Sequence, residues 1–188
     1  MNSTAAVLLA DKFFSKTRLN DVSLVLGSIL LITLSAQIQI PMFPVPMTMQ
    51  TFAVLLVAAS LGINRAAVAT TGYLGLGALG LPVFAGTKTL AGVLPTAGYL
   101  VGFVFASMLV GFLASKGLSK TPVKVLLSFA AGSAVIYAFG VAGLMAALGL
   151  DIVTAISVGV IPFLIGDVVK AALAAALLPT AWKLSNNR

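Results

Sequence analysis

Apolar residues fill this chain in long runs, and short polar stretches separate one run from the next. A helix needs about 20 mainly apolar residues to cross the roughly 30 Å of hydrocarbon in a bilayer. The pattern predicts an all-α integral membrane protein, with one membrane domain over residues 1–188 and six transmembrane helices. The expected spans cover about 22–40, 48–62, 66–80, 98–115, 123–148 and 155–181.

The first 20 residues differ from the rest, because their apolar run is too short to cross a membrane. Three basic residues, Lys12, Lys16 and Arg18, follow this run. An apolar segment beside basic residues is typical of a helix that lies on the membrane surface. We therefore predict an interfacial N-terminal helix within residues 1–20, with a frayed tail as the alternative.

Two connections do not look like ordinary solvated loops. The stretch 41–47 holds three prolines, which exclude regular helix and favour an extended chain. The stretch 81–99 is apolar and rich in Gly and Pro, with Lys88 as its single charge. A connection of this length inside a compact domain is often a lid or a binding loop. We favour that interpretation over a purely structural one.

The basic residues predict the orientation of the chain in the membrane. With six spans and a cytoplasmic N-terminus, nine of the eleven basic residues fall on the cytoplasmic side. The positive-inside rule describes this asymmetry. Both termini are therefore expected in the cytoplasm. The stretches 41–47 and 81–97 and the start of the last helix are then expected at the external side.

Composition limits the chemistry that the chain can perform. Only 8% of the 188 residues are charged, whereas a soluble domain has about 25%. The sequence contains no His and no Cys, which removes the usual transition-metal ligands, thiol chemistry and histidine acid–base catalysis. We expect no metal site and no cofactor. The net charge of +7 is spread between apolar runs, so it indicates contact with a lipid membrane and no nucleic acid.

The last apolar stretch carries an acid and a base three residues apart, Asp167 and Lys170. At helical spacing the two share one face. A charge at the centre of a bilayer costs roughly 2.5–3.5 kcal/mol on insertion scales, so both should face the interior of the bundle. Phe163, Ala174 and Leu177 would complete that interior stripe. An ionisable residue inside a membrane is by default a candidate functional site, and a purely structural ion pair is the alternative.

The polar residues near the external end predict the chemistry of a ligand. Ionised Asp167 accepts N–H donors, which suits a urea-like or amide-like group, and Lys88 or Lys170 is able to meet a carboxylate. Phe84 and Tyr99 offer aromatic walls, with packing inside the bundle as the alternative. Neutral hydrogen bonds are expected from Thr48, Gln50 and Thr96. For Gln50 a capping or interhelical hydrogen bond is the alternative. The predicted ligand is a small amphiphile with a polar head and an apolar body.

Four motifs in this chain resemble the BioY family, the biotin-binding S components of energy-coupling factor (ECF) transporters. They occur in order between about residues 20 and 183. The motifs are Pro-Val-Pro-Met-Thr-Met-Gln-Thr-Phe at 44–52, Gly-Leu-Pro-Val-Phe-Ala-Gly at 80–86, Pro-Thr-Ala-Gly-Tyr-Leu-Val-Gly-Phe at 95–103 and Gly-Asp-Val-Val-Lys-Ala-Ala at 166–172.

The resemblance implies a six-helix S-component fold in the cell membrane of a prokaryote. It implies capture of biotin from outside and delivery to the cytoplasm after docking on an energising module, a transmembrane T protein with two ABC ATPases. The chain has no Walker motif, so ATP hydrolysis would belong to that partner. Biotin has a ureido ring, an apolar thiophane body and a carboxylate, as the predicted ligand requires. No enzymatic activity is expected.

The resemblance also implies roles for individual residues. The family's Asp and Lys on the last helix correspond to Asp167 and Lys170, and its Gly-Tyr after the long loop corresponds to Gly98 and Tyr99. The usually glycine-rich loop here reads Thr-Lys-Thr at 87–89, and its lysine is the candidate for the carboxylate.

A second implied surface lies on the first helix. Small residues there dock the T protein in this family, and this chain offers Ser23 and Gly27, a variant of the family's alanine repeat. Small residues four apart also let another helix approach closely in any membrane protein.

Three other functions compete with biotin capture. The first is an S component for another vitamin. The second is a small intramembrane enzyme that uses Asp167 and Lys170 as acid and base. The lack of a nucleophile–base arrangement in the sequence argues against it. The third is a helix-packing or channel-like protein, for which no helix carries the repeated polar residues that a pore needs.

Overall fold

The computed structural model describes residues 7–92 and 94–186, which form helices joined by turns and extended connections, together with one short pair of strands. The helices are α1 (Ala10–Phe13), α2 (Arg18–Gln37), α3 (Gln50–Leu61), α4 (Ile63–Ala78), α5 (Ala97–Ser115), α6 (Pro122–Leu148), α7 (Ile152–Gly159) and α8 (Leu164–Asn186). Single 3₁₀ turns cover Leu90–Gly92, Leu94–Thr96 and Ile161–Phe163. The strands β1 (Gln39–Ile40) and β2 (Met47–Thr48) pair antiparallel.

Four helical segments of the described chain are long and apolar enough to cross a membrane: α2, α5, α6 and the stretch from α7 through α8. The helices α3 and α4 have 12 and 16 residues, so they reach only about 18 Å and 24 Å at 1.5 Å per residue. Gly62 separates them with φ of +79°, a conformation that glycine adopts without strain.

Three predicted spans differ from the helices of the structure. The spans predicted over 22–40 and 48–62 lose residues to the β1–β2 pair, because Gln39 is paired with Thr48 across the strands. The span predicted over 155–181 is interrupted between Gly159 and Leu164. Pro162 lies in this break, and it has no N–H to continue a helical ladder.

The predicted interfacial helix over 1–20 corresponds to a single helical turn, α1, and residues 1–6 lie outside the described part. The chain turns before α2, where the Thr17 hydroxyl accepts a hydrogen bond from Asn20 N at 3.2 Å. Thr17 therefore caps α2 as N-cap residues do. Leu9 and Ala10 are buried against the bundle, whereas Phe13 and Phe14 are exposed.

The helices α5 and α6 cross closely through glycines. A Cβ on Gly98 would collide with Phe139 O and would lie 2.9 Å from the Cα of Gly143. Only glycine leaves room for backbones at this distance. The close crossing fixes the position of Tyr99 on α5, whose ring lies over Gly140 on α6.

The interior face of α8 follows the predicted stripe with one correction. Phe163 just before α8, and Lys170 and Ala174 within it, are buried. Leu177 is 53% exposed, whereas Leu178 is 2% exposed and completes the face. Leu177 and Leu178 follow Ala174 by three and four residues, so either one could continue its face of the helix. The contacts of α8 with α6 and α3 decide which of them is buried.

Candidate functional site

A cavity of about 380 Å³ opens where α2 ends and α3 begins. Its walls come from the segment around β1 and β2, the turn after α4, the start of α5, the middle of α6 and the start of α8. The volume falls within the roughly 300–1,000 Å³ of small-molecule sites. The walls are mainly apolar, with a few polar side chains that converge on the space.

An ion pair forms one wall of the cavity. Lys170 Nζ donates to Asp167 Oδ1 at 3.0 Å and to Thr51 Oγ1 at 2.8 Å. The Tyr137 hydroxyl donates to Asp167 Oδ2 at 2.6 Å. The side chains of Lys170 and Asp167 are 8% and 15% exposed, and all four residues line the cavity. The network therefore joins α3, α6 and α8 around the two charges.

The ion pair retains hydrogen-bonding capacity for a ligand. A carboxylate offers about four acceptor positions, and an ammonium group has three N–H donors. Among the described residues, Asp167 accepts two hydrogen bonds and Lys170 donates two. Acceptor positions on Asp167 and one N–H donor on Lys170 thus remain side by side on a wall that is largely buried. A polar group that carries both N–H and C=O matches this arrangement.

A second polar group in the cavity is held by an oriented chain of hydrogen bonds. Gln50 is 4% exposed, and its Nε2 donates to the Tyr73 hydroxyl at 2.5 Å. That hydroxyl donates in turn to Val83 O at 3.0 Å. Because the tyrosine hydrogen is committed to a carbonyl, the amide must present its NH₂ group to Tyr73. The amide oxygen of Gln50 then has no donor among the described residues.

The turn from Phe84 to Lys88 forms the opposite edge of the cavity. Phe84 is 1% exposed and meets the Tyr73 ring edge to face, with 5.2 Å between centroids. Gln37 at the end of α2 holds the turn at two points. Its Nε2 donates to Phe84 O at 3.1 Å and its Oε1 accepts from Thr87 N at 3.2 Å. Lys88 is exposed at the cavity rim.

The cavity brings together most of the predicted binding residues. Those that line it are Gln50, Phe84, Lys88, Thr96, Tyr99, Asp167 and Lys170. Gly98 does not line it, because its backbone is packed against α6. Ser23 and Gly27 lie apart from it on an exposed face of α2, where no atom approaches within 4 Å of a Cβ built on Gly27.

Two residues of the ion-pair network were missed by sequence reasoning. Tyr137 lies in the middle of an apolar span, where its hydroxyl requires a polar partner and could have marked it as a candidate. Thr51 directly follows the predicted Gln50 in the first of the four motifs. Neither carries a charge at neutral pH, so the rule that charged residues inside a membrane mark functional sites does not identify them.

Comparisons with known proteins agree with this architecture. A sequence model described as the BioY family matches residues 6–187. The biotin transporter BioY of Thermotoga maritima is 43% identical over 160 residues, which cover 84% of this chain and 93% of that protein. The probable biotin transporter BioY of Pyrococcus horikoshii is 38% identical over 156 residues, with coverages of 82% and 91%.

A solved structure shares the fold. It is the crystal structure of the S-component for biotin from an ECF-type ABC transporter. The two chains are 22% identical and superpose with a TM-score of 0.75, over 90% of this chain and 95% of the other. With the family model matched along nearly its whole length, this chain belongs to the BioY family.

Proposed function

We propose that this chain is the S component of an ECF-type transporter and captures biotin for uptake into the cell. The observation that carries the proposal is the ion pair of Asp167 and Lys170 on the wall of a 380 Å³ cavity. Membership of the BioY family and the names of the relatives support biotin as the ligand.

The proposed contacts follow the chemistry of the cavity. The N–H groups of the ureido ring donate to Asp167, and Lys170 orients that carboxylate and binds the ureido oxygen. The thiophane body packs against Phe84 and Tyr99. Lys88 at the rim meets the carboxylate of the valerate tail. Further hydrogen bonds come from Gln50 and Thr96.

The proposed topology is a single membrane domain over 1–188 with six spans and both termini in the cytoplasm of a prokaryote. The short helices α3 and α4 serve as two of the spans. The distribution of basic residues supports this orientation. It puts the cavity at the external side, where a vitamin arrives. The membrane is then the plasma membrane.

The proposed partner is an energising module of a transmembrane T protein and two ABC ATPases. The exposed small residues Ser23 and Gly27 on α2 form the docking surface for the T protein. The open space over Gly27 supports this role, because a partner helix is able to approach its backbone. In this proposal the chain performs no chemistry on its ligand.

The proposal is tested by equilibrium binding of biotin and a panel of other vitamins to the purified chain in detergent. Biotin is expected to bind most tightly, and the bound molecule is expected to be recovered with its mass unchanged. Preference for another vitamin would make this an S component of different specificity. Chemical alteration of the ligand would support an intramembrane enzyme instead.

Two matched variants connect binding to the site. Asp167→Asn keeps the shape of the side chain and removes its charge, so biotin affinity is expected to fall by at least 30-fold. Asp151→Asn removes a carboxylate that caps α7 and is exposed, and affinity is expected to stay within twofold. Unchanged affinity in Asp167→Asn would remove this residue from the ligand contacts.

A further inference from the structure

We propose that Tyr137 is a positioning residue that sets the selectivity of the cavity for ligands with N–H donors. Its hydroxyl donates to Asp167 from a second helix and fixes the orientation of this carboxylate, whose free lone pairs accept hydrogen bonds from the ligand. This inference rests on the proposed biotin-binding function and deepens it.

The direction of the Tyr137 hydrogen bond follows from its neighbours. Asp167 is paired with Lys170 at 3.0 Å, so it is ionised and has no hydrogen to give. The tyrosine must therefore donate across the 2.6 Å to Oδ2. Its own oxygen retains only acceptor capacity. Asp167 and Tyr137 together present acceptors and no donor to this part of the cavity.

The two anchors of Asp167 come from different directions. Lys170 holds Oδ1 from the same helix, three residues on, and is itself held by Thr51 of α3. Tyr137 holds Oδ2 from α6, 30 residues away along the chain. A carboxylate held at one oxygen rotates readily, because the terminal torsion of Asp is broad. Two anchors fix its plane and therefore the directions of its remaining lone pairs.

A fixed acceptor pair discriminates between ligands of equal shape. A ureido N–H gains a charge-assisted hydrogen bond from it. An oxygen at the same place would bring its lone pairs against a carboxylate that is unable to turn away. Sites built to bond a particular substrate group reject the analogue that lacks it by large factors, since the buried partner is left unpaired. Loss of the Tyr137 hydroxyl would let the carboxylate rotate away from the oxygen of the analogue, so the analogue would be rejected less strongly.

The test compares biotin with its cyclic carbamate analogues, in which one ureido N–H is replaced by oxygen at nearly equal size. The ratio of dissociation constants, analogue over biotin, measures discrimination in the purified chain. In the wild-type chain this ratio is expected to be about 100 for the more strongly rejected isomer. In Tyr137→Phe it is expected to fall about tenfold, together with a loss of biotin affinity.

The chain provides a matched control. Tyr99 is a second tyrosine of the cavity wall, but its hydroxyl donates to Gly159 O at 2.7 Å and not to Asp167. Tyr99→Phe therefore removes the same group from the same cavity. Whatever its effect on biotin affinity, its discrimination ratio is expected to stay within twofold of the wild-type ratio. An equal fall in both variants would overturn the inference.

Two non-natural residues at position 137 keep the test decisive if Tyr137→Phe does not elute as a single species. 4-Aminophenylalanine retains a donor at the end of the ring, and 4-methylphenylalanine fills the same space without one. Discrimination retained by the first and lost by the second supports the inference, and equal ratios overturn it. If the wild-type chain does not bind biotin at all, the proposed function fails. If it binds biotin and Tyr137→Phe keeps the full ratio, only this inference fails.

Discussion

Within residues 7–92 and 94–186, opposite charges form two clusters, one near each end of α2, and the clusters differ in what surrounds them. One is the pair of Asp167 and Lys170 beside the cavity. The other is centred on Arg65, which holds Asp11 at 2.7 Å and Asp21 at 2.6 Å. Helix α2 has 20 residues and a length of about 30 Å, and it separates the two clusters.

The charges of the Arg65 cluster are paired with one another. Arg65 bonds two carboxylates, and Lys16 adds a further contact to Asp11 at 3.2 Å. Burial would raise the pKa of Asp11, but the hydrogen bonds from Arg65 and Lys16 outweigh it and hold that pKa below its ordinary value of 3.8. The neighbouring groove between α2 and α4 is lined largely by valine and leucine side chains. This cluster ties the N-terminal segment to the bundle.

The pair beside the cavity uses only part of its hydrogen-bonding capacity, and a space of molecular size adjoins it. Buried opposite charges therefore do not by themselves mark a binding site. What distinguishes the two clusters is an adjoining cavity lined with further polar groups. Replacement of the cation by methionine in each cluster tests this difference.

The largest expected effect is that of Lys170→Met. It leaves the charge of Asp167 without its counter-charge in a buried site, and truncation of one member of such a pair costs about 2–5 kcal/mol. Biotin affinity is expected to fall about 100-fold in equilibrium binding. The control is Lys183→Met, which changes an exposed lysine of the same helix. A dissociation constant within threefold of the wild-type value for Lys170→Met would remove the distinction between the clusters.

The corresponding change in the other cluster is Arg65→Met, which is expected to affect stability and not binding. It removes the 2.7 Å ion pair of Asp11, whose side chain is only 6% exposed, and leaves the contact with Lys16 at 3.2 Å. A loss of about 2 kcal/mol corresponds to a fall of about 4–8 °C in the unfolding midpoint of a chain of this size. Circular dichroism measures that midpoint. Arg18→Met, at an exposed arginine nearby, is the control. Weakened biotin binding with an unchanged midpoint would contradict the structural role.

A smaller effect is expected from the pH dependence of stability. The pKa of Asp11 is lower in the folded chain than its ordinary 3.8, so its contribution is complete above about pH 4 and is lost as the pH falls below that. At neutral pH the unfolding midpoint of Asp11→Asn is expected about 2–4 °C below that of the wild type, or about 1 kcal/mol. The difference should shrink as the pH falls below 4.

The control for this titration is the same substitution in the Arg65→Met background. Without Arg65 the pKa of Asp11 loses the first of the contacts that lower it. The difference in unfolding midpoint between Asp and Asn at position 11 is then expected to depend less on pH. A difference that persists unchanged would mean that Arg65 does not set this pKa.

The smallest expected effect concerns the edge of the cavity. Gln37→Met removes the two hydrogen bonds that hold the turn of Phe84 and Thr87. Because Gln37 is exposed, water replaces part of the loss, and biotin affinity is expected to fall two- to fourfold. Thr33→Val, which removes one side-chain hydrogen bond elsewhere on α2, is the control. Equal biotin affinities in the wild type, Gln37→Met and Thr33→Val would show that the turn does not need the contact with Gln37.

Much of the fold was accessible from local patterns. The apolar runs predict the long helices α2, α5 and α6 to within a few residues, because hydrophobic length and helical period are properties of the chain itself. The spacing of Asp167 and Lys170 likewise places both on one face of α8, where they form their ion pair. The strand pair and the choice of Leu178 over Leu177 depend on packing that local patterns do not encode.

The site was accessible only in part. Motif similarity predicts a ligand contact for Gly98, and it does not show that this residue also lies at the close crossing of α5 and α6. The partner of Asp167 on α6, Tyr137, lies 30 residues away. Contact between the two depends on how α6 is rotated relative to α8, and that rotation is set by the whole bundle.

The sequence alone determines that this chain enters a membrane and carries two opposite charges on one face of its last helix. Both facts follow from composition and from the 3.6-residue period, which act within a few turns of the chain. The tertiary structure alone decides that a cavity lies beside these charges, and that Tyr137 and Thr51 form hydrogen bonds with them. The physical reason is that a cavity and a contact between helices exist only when separate segments pack together, and their geometry belongs to the assembly of the helices.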